Sequence, residues 1–163
     1  MIKIGLVSDT HNYLHPSVIE FLKPCDEIWH AGDMGSISLA NQLSEIKPLR
    51  GVYGNIDGND IRVIYPKDLH FMCEDVDVWM THIGGYPGKY PPEIKNILQE
   101  NPPKLFICGH SHILKVIYDK KYNFLHINPG AAGKYGFHHF ITAIRFNIDR
   151  IKIKDLEVLE IKK

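Results

Sequence analysis

Asp9-Thr10-His11 and Gly109-His110-Ser111-His112 each place two polar donors two residues apart, and Gly32-Asp33, Gly54-Asn55 and Thr81-His82 lie between them in the chain. Imidazole and carboxylate together are donors that first-row transition ions take. A single Asp or Asn at such a position is more often a helix cap. Caps do not call for histidine, however, and four of these seven side chains are His. Four His, two Asp and one Asn exceed what one ion with an open position can use, and they suit two ions sharing a bridging carboxylate. Asp33, between the D-x-H pair and the rest, is the natural bridge. A glycine before Asp33, Asn55 and His110 lets the backbone turn sharply and bring each side chain inward.

Such a cluster needs elements that bring distant residues together. The apolar run 1–7 stops at Ser8-Asp9-Thr10, as a buried strand ending at a sheet edge would. Pro16, Val18, Ile19, Phe21 and Leu22 then have helical spacing, with Pro in the first turn and Lys23-Pro24 closing it. Glu27 to His30 reads as a second strand, Ser36 to Ile46 as an amphipathic helix and Leu49 to Tyr53 as a third strand. This alternation indicates right-handed crossovers and parallel pairing. Further on, strands are expected at Leu69 to Cys73, Val76 to Thr81 and Lys104 to Cys108, with a helix near Glu93 to Gln99 before the last. Four more follow near Lys115 to Tyr118, Phe124 to Ile127, Phe140 to Phe146 and Ile151 to Leu159. The sum is an α/β layered sandwich. Five of the apolar runs end at the five donor-bearing turns, which is where open α/β sheets bind ligands.

With 163 residues, 44% of them hydrophobic, the chain has apolar mass for one domain spanning 1–163. Lys plus Arg equals Asp plus Glu at 19 each, so bulk charge gives no reason to expect a nucleic-acid or membrane-surface binder. Cys25, Cys73 and Cys108 are odd in number and widely spaced, which points to buried free thiols in a reducing compartment. Asp9 interrupts any signal-peptide core, and no run approaches the ~18 apolar residues of a membrane span. A cytoplasmic protein without membrane association is expected.

The set D-x-H, G-D, G-N, T-H and G-H-x-H, in this order, resembles the calcineurin-like metallophosphoesterases. The stretches IGLVSDTH, HAGD, GNID, GHSH and INPG look most like the family's small bacterial and archaeal phosphodiesterase group. The resemblance spans nearly the whole chain. It implies a four-layer α/β/β/α sandwich in which two facing mixed β-sheets are flanked by helices. It also implies that Asp9, His11, Asp33 and His112 bind one ion and that Asp33, Asn55, His82 and His110 bind the other. Asp33, Asn55 and His82 are the residues expected to take part in catalysis. Two divalent ions outweigh two aspartates and a hydroxide by one positive charge, so the site attracts phosphate. Ions ~3.5 to 4 Å apart can clamp two oxygens of an in-line displacement and generate a bridging hydroxide at neutral pH. The nitrogen-rich donors favour Mn2+, the first choice, or Ni2+, Fe2+, Co2+ or Zn2+ over Ca2+.

Two departures from the wider family stand out. Many relatives carry His directly after G-N as a leaving-group acid, whereas here Ile56 and Asp57 follow; substrates with good leaving groups should therefore react best. Asp57 is expected to hold a turn rather than to act as the acid. Many small phosphodiesterases also read T-H-G-H, where here Ile83-Gly84-Gly85 follows His82. Around the rim, Tyr86, Lys89 and Tyr90 in the loop GGYPGKYPP and Lys134 in NPGAAGKYGFHH are candidates to touch substrate. His138 and His139 read as surface or packed residues, and His30 as a residue orienting Asp33. His15, His70 and His126 read as structural or solvated.

The expected activity is hydrolysis of a small phosphodiester, with nucleic acid a partner only as substrate. The alternatives are a phosphomonoesterase or pyrophosphatase using the same site, and a non-catalytic scaffold like the retromer subunit similar to this group. A homo-oligomer is compatible with the sequence, and strand periodicity leaves open whether Trp79 and Tyr122 are core or interface.

Overall fold

Two five-stranded sheets face each other across an apolar layer, in a computed structural model that describes residues 1–163. The first half of the chain contributes β1 (Ile2–Val7), α1 (Pro16–Leu22), β2 (Glu27–His30), α2 (Ile37–Ile46), β3 (Leu49–Gly51), α3 (Asn59–Arg62), β4 (Asp68–Cys73) and β5 (Val76–Thr81). The second half adds α4 (Pro92–Glu100), β6 (Leu105–Ile107), β7 (Leu114–Asp119), β8 (Phe124–Pro129), β9 (Phe140–Asp149) and β10 (Lys152–Lys162). The first sheet has the order β10-β9-β1-β2-β3 and the second β4-β5-β6-β8-β7. In each, three strands run parallel, β1-β2-β3 and β5-β6-β8, with antiparallel strands outside them.

The period-two pattern of the strands separates the layers. Ile4 and Leu6 of β1, Trp29 of β2 and Ile144, Phe146 and Ile148 of β9 meet Val76, Val78 and Met80 of β5 and Leu105 and Ile107 of β6 in the central layer. The alternate residues face outward: Val7, Ile28, Ile141 and Ala143 pack beneath α1 and α2 through Val18, Leu22, Leu39 and Leu43. On the other side Trp79, Phe106 and Phe124 pack beneath Ile94 and Leu98 of α4. Trp79 is thus core, fully buried and stacked on Phe106 at 4.8 Å, and truncating such a side chain to Ala costs about 3–5 kcal/mol. Tyr122 packs at the edge of the same cluster, stacked on Phe124.

Local signals fix where the helices begin. The His15 ring accepts from the Ser17 N–H at 3.0 Å ahead of Pro16, and Ser36 Oγ accepts from the Leu39 N–H at 3.1 Å. All strands expected from the sequence are present, as are the three longer helices. The four-residue α3 between Gly58 and Val63 was not expected; it buries Ile61 but has no side-chain cap. All three cysteines are free and buried, and no helix is long and apolar enough to cross a membrane.

Candidate metal centre

The parallel arrangement of β1, β2 and β3 in one sheet, and of β5 and β6 in the other, brings the five donor-bearing turns to one edge of the sandwich. Two groups of donor atoms result, one from Asp9, His11 and His112 and one from Asp33, His82 and His110, each group lying within 4.8 Å. Five of these six residues have left-handed backbone: Asp9 (φ 53°), His11 (45°), Asp33 (60°), His110 (70°) and His112 (62°). Few non-glycine residues adopt this conformation, and it costs of order 1 kcal/mol or more at each position. The turns are strained where the donors sit, and the surrounding structure must hold them there.

Several contacts do so. Ser8 Oγ donates to Asp9 Oδ2 at 2.7 Å and the His110 N–H donates to the same oxygen at 3.0 Å. The Ile56 N–H donates to Asp33 Oδ1 at 3.0 Å. His82 Nδ1 donates to the Ala31 carbonyl at 2.8 Å, which turns Nε2 toward the carboxylates. One oxygen of each aspartate is therefore used by the fold and the other faces the cluster. Asp33 Oδ2 lies 3.1 Å from His82 Nε2 and 3.6 Å from His11 Nε2, and so reaches both groups. Asp9 Oδ1 lies 3.3 Å from His112 Nε2. Asn55, exposed, offers Oδ1 to His82 Nε2 and His110 Nδ1, each at 3.0 Å.

Burial disfavours the charged form of Asp9, but the His112 contact, the charge of His82 and the Ser8 hydroxyl outweigh it and hold the carboxyl below its usual range. Asp33 is likewise lowered: burial opposes ionisation, and the His82 hydrogen bond and charge, with the Ile56 N–H, reverse the effect. His82 is raised, because its hydrogen bond to Asp33 and the charge of Asp9 overcome burial. His110 is lowered by burial and by His82. The arrangement thus favours the anionic form of both aspartates and the protonated form of His82 beside them.

The donor set fits divalent cations. Asp9 Oδ1 and His11 Nε2 are buried polar atoms with no hydrogen-bond partner, which is costly unless a cation completes them. Two His/Asp clusters side by side, with Asp33 reaching ligands of both, are consistent with a dinuclear site.

The neighbouring residues separate into holders and rim. Asp57 is 3% exposed and its carboxylate accepts three backbone N–H groups, from Met34 (3.1 Å), Gly35 (2.9 Å) and Gly54 (2.9 Å). It ties the Asp33 turn to the Asn55 turn, as its expected turn role requires. His30 does not touch the Asp33 side chain: its Nδ1 accepts from the Gly32 N–H at 3.0 Å and its Nε2 meets Thr10 Oγ1 at 2.9 Å. It fixes the backbone before Asp33 and between Asp9 and His11, and burial pushes its pKa down to about 4. Gly54 is required by close approach, since a Cβ there would collide with the Asp33 carboxylate.

Of the rim candidates, Lys89 and Tyr86 line a cavity of about 310 Å3 shared with His110 and Ser111. Tyr90 turns inward instead, donating to Asp119 Oδ2 at 2.5 Å among the aromatic residues under α4. Lys134 is exposed, sets Nζ over the Tyr13 ring at 4.5 Å and lines neither cavity beside the His110–His112 turn. His139 is exposed, while the His138 ring packs edge-on to His112 at 5.1 Å. Sequence reasoning missed Asn128, fully buried, whose Nδ2 donates to the Gly109 carbonyl at 2.9 Å and to Ser111 Oγ at 3.1 Å. It also missed Tyr135, whose ring lies over His11 at 5.1 Å. The N-P-G motif at the end of β8 was a signal for the first; nothing in the loop sequence marked the second.

Facing mixed sheets that carry paired His/Asp clusters at their strand ends define a sandwich of the metallophosphoesterase class. The chain belongs to the calcineurin-like phosphoesterase superfamily, whose domain model matches residues 2–150. A probable metallophosphoesterase of Methanothermobacter thermautotrophicus is 27% identical over 114 residues, which cover 67% of this chain and 66% of that protein, just under two thirds of its length. Among solved structures, a novel archaeal phosphodiesterase superposes with a TM-score of 0.76 at 21% identity, covering 97% of this chain and 100% of that one. Wild-type Vps29 from Entamoeba histolytica complexed with Zn2+ superposes with a TM-score of 0.75 at 12% identity, covering 99% of each chain. At these identities the two superpositions establish the shared fold.

Proposed function

We propose that the protein is a dinuclear metal-dependent phosphodiesterase that hydrolyses small phosphodiesters. The observation that carries this reading is the placing of Asp33 Oδ2 within 3.6 Å of His11 Nε2 and 3.1 Å of His82 Nε2, one from each donor group. Asp9, His11, Asp33 and His112 would hold one ion, and Asp33, Asn55, His82 and His110 the other, with Mn2+ the proposed ion. The archaeal phosphodiesterase of the same fold supports the substrate class.

A pair of divalent ions supplies electrophilic clamping of phosphate oxygens and water acidified toward neutral pKa. The chain's own residues supply position. Ser8 and the His110 N–H turn Asp9 Oδ1 into the site, and the Ile56 N–H does the same for Asp33 Oδ2. The Ala31 carbonyl selects the His82 tautomer whose Nε2 is free to ligate. Asn55 is a neutral donor and leaves the net charge of the loaded site positive, which attracts an anionic diester. Ile56 is 48% exposed beside Asn55 and offers no proton, so the departing oxygen must leave largely unaided.

The test is hydrolysis of bis-p-nitrophenyl phosphate against p-nitrophenyl phosphate, with Mn2+ or Ni2+ added and then removed by a chelator. Metal-dependent release from the diester, exceeding that from the monoester, is expected. Preference for the monoester would reassign the substrate class, and no metal-dependent release from folded protein would point to the scaffold.

A further inference from the structure

The rim of the metal centre is asymmetric. On one side of the His110–His112 turn lies the cavity with Lys89 and Tyr86. On the other lies a cavity of about 480 Å3, lined by His110, His112, Ile113, Tyr135, Phe137 and His138 among others, with no Lys or Arg in its lining. Small-molecule sites typically span roughly 300–1,000 Å3 and are walled by apolar and aromatic groups. Phe137 is fully exposed, Tyr135 is 70% exposed and Ile113 is 53% exposed, an unusual concentration of bare apolar surface beside a charged centre.

The loop that carries the two aromatic residues is fixed against the donors. The Tyr135 ring lies 5.1 Å from the His11 ring, and the His138 ring lies 5.1 Å from that of His112. Gly136, between Tyr135 and Phe137, has φ 128° and sits so close that a Cβ would collide with the His112 ring. His138 Nε2 donates to the Gly133 carbonyl at 2.7 Å and closes the loop on itself. The cavity is lined by His110 and His112 as well as by Tyr135 and Phe137, so a phosphate seated over the donor groups would have this side open to one of its ester arms.

We infer that Tyr135, Phe137 and Ile113 form a subsite for a planar aromatic arm of the substrate, of nucleobase or aryl type. The inference rests on the phosphoesterase reading above and deepens it by naming the substrate class: a phosphodiester with an aromatic group on the Tyr135 side. No Lys or Arg lines the cavity itself, and Lys163 beside it engages its Nζ with the Gly136 carbonyl at 2.9 Å, while Lys89 across the turn leaves room for a polar or anionic group on the other arm. Stacking on exposed aromatic side chains is tolerant of ring identity, so the subsite selects aromatic over alkyl arms rather than one base.

Binding of phenylphosphonate and methylphosphonate to the Mn2+-loaded protein, measured by isothermal titration calorimetry, tests this without turnover, since the reaction does not cleave their C–P bonds. Wild type should bind phenylphosphonate about tenfold tighter, as one aromatic stack provides. Tyr135→Ala/Phe137→Ala should bring the two within about twofold, chiefly by weakening the phenyl ligand. Phe137→Ala alone, which touches no donor, should remove part of the preference and decides the matter if the double variant loses metal. Equal affinity for the two ligands in wild type, or a preference that survives in both variants, would overturn the subsite while leaving the phosphoesterase reading intact. Failure of the loaded protein to bind either phosphonate would overturn that reading and the subsite with it.

Discussion

The two donor groups differ in how complete they are. Asp9, His11 and His112 surround atoms that the protein leaves unpaired, Asp9 Oδ1 and His11 Nε2. His82 and His110 both bond Asn55 Oδ1 and His82 also pairs with Asp33 at 3.1 Å, while His110 and Asn55 are open to solvent. A cation entering the first group relieves buried, unsatisfied atoms worth about 1–3 kcal/mol each. A cation entering the second must replace contacts already made, those of His82 Nε2 with Asp33 Oδ2 and Asn55 Oδ1 and of His110 Nδ1 with Asn55 Oδ1. The first position should fill before the second, and Asp33 is where the two meet.

Removing that junction should have the largest effect. Asp33→Asn keeps the shape but withdraws the shared charge, and hydrolysis of bis-p-nitrophenyl phosphate should fall by ~10^3-fold, the scale of losing a principal electrostatic stabiliser. A rate near wild type would show that the two groups act independently. Next in size is Asp57→Ala, which leaves the N–H groups of Met34, Gly35 and Gly54 without their acceptor and detaches the Asp33 turn from the Asn55 turn. Hydrogen bonds to a charged group contribute about 1.5–3 kcal/mol each, so chemical denaturation should show a loss of about 3 kcal/mol or more. If Asp57 were instead the general acid, stability would hold and the alkaline limb of the pH–rate profile would vanish.

A pH effect separates the framework from the donors. Burial depresses His30 to about 4 and His126, behind the Gly85 loop, to about 4, against an ordinary value near 6.5. As pH falls below about 6.5 the unfolded chain takes up these protons before the folded one, so stability present at neutral pH is lost down to about pH 4. Each residue contributes up to about 3 kcal/mol to this loss. His82, whose pKa is raised, has the opposite sign and offsets part of it in metal-free protein. Denaturation of metal-free protein at pH 7 and pH 4.5 should show a net loss at the lower pH; equal stability would mean that the buried framework histidines are not neutral in the native state.

The gathering of these residues could be read from the sequence because residue types able to ligate stand where apolar runs end, so strand positions and chemistry point to the same turns. Asp57 could be read for a similar reason, as an Asp in a tight turn. The rim could not. Tyr90 shares its loop with Lys89 and Tyr86, and Lys134 sits in a loop as plausible for substrate contact, yet Lys134 goes to Tyr13 and Tyr90 to Asp119. Side-chain direction in a loop depends on long-range packing that no periodicity records. Tyr135 escaped for the same reason, since its place over His11 follows from the path of residues 133–138. Helix α3 escaped because four residues without a side-chain cap leave no pattern.

Metal content tests the central claim most directly. Elemental analysis of protein saturated with Mn2+ and freed of excess ion should give two ions per chain for wild type, with a calorimetric titration showing a tighter first event and a weaker second. Asp33→Asn should retain at most one. A wild-type protein that saturates at a single ion, or an Asp33→Asn variant that still holds two, would contradict the shared-carboxylate centre.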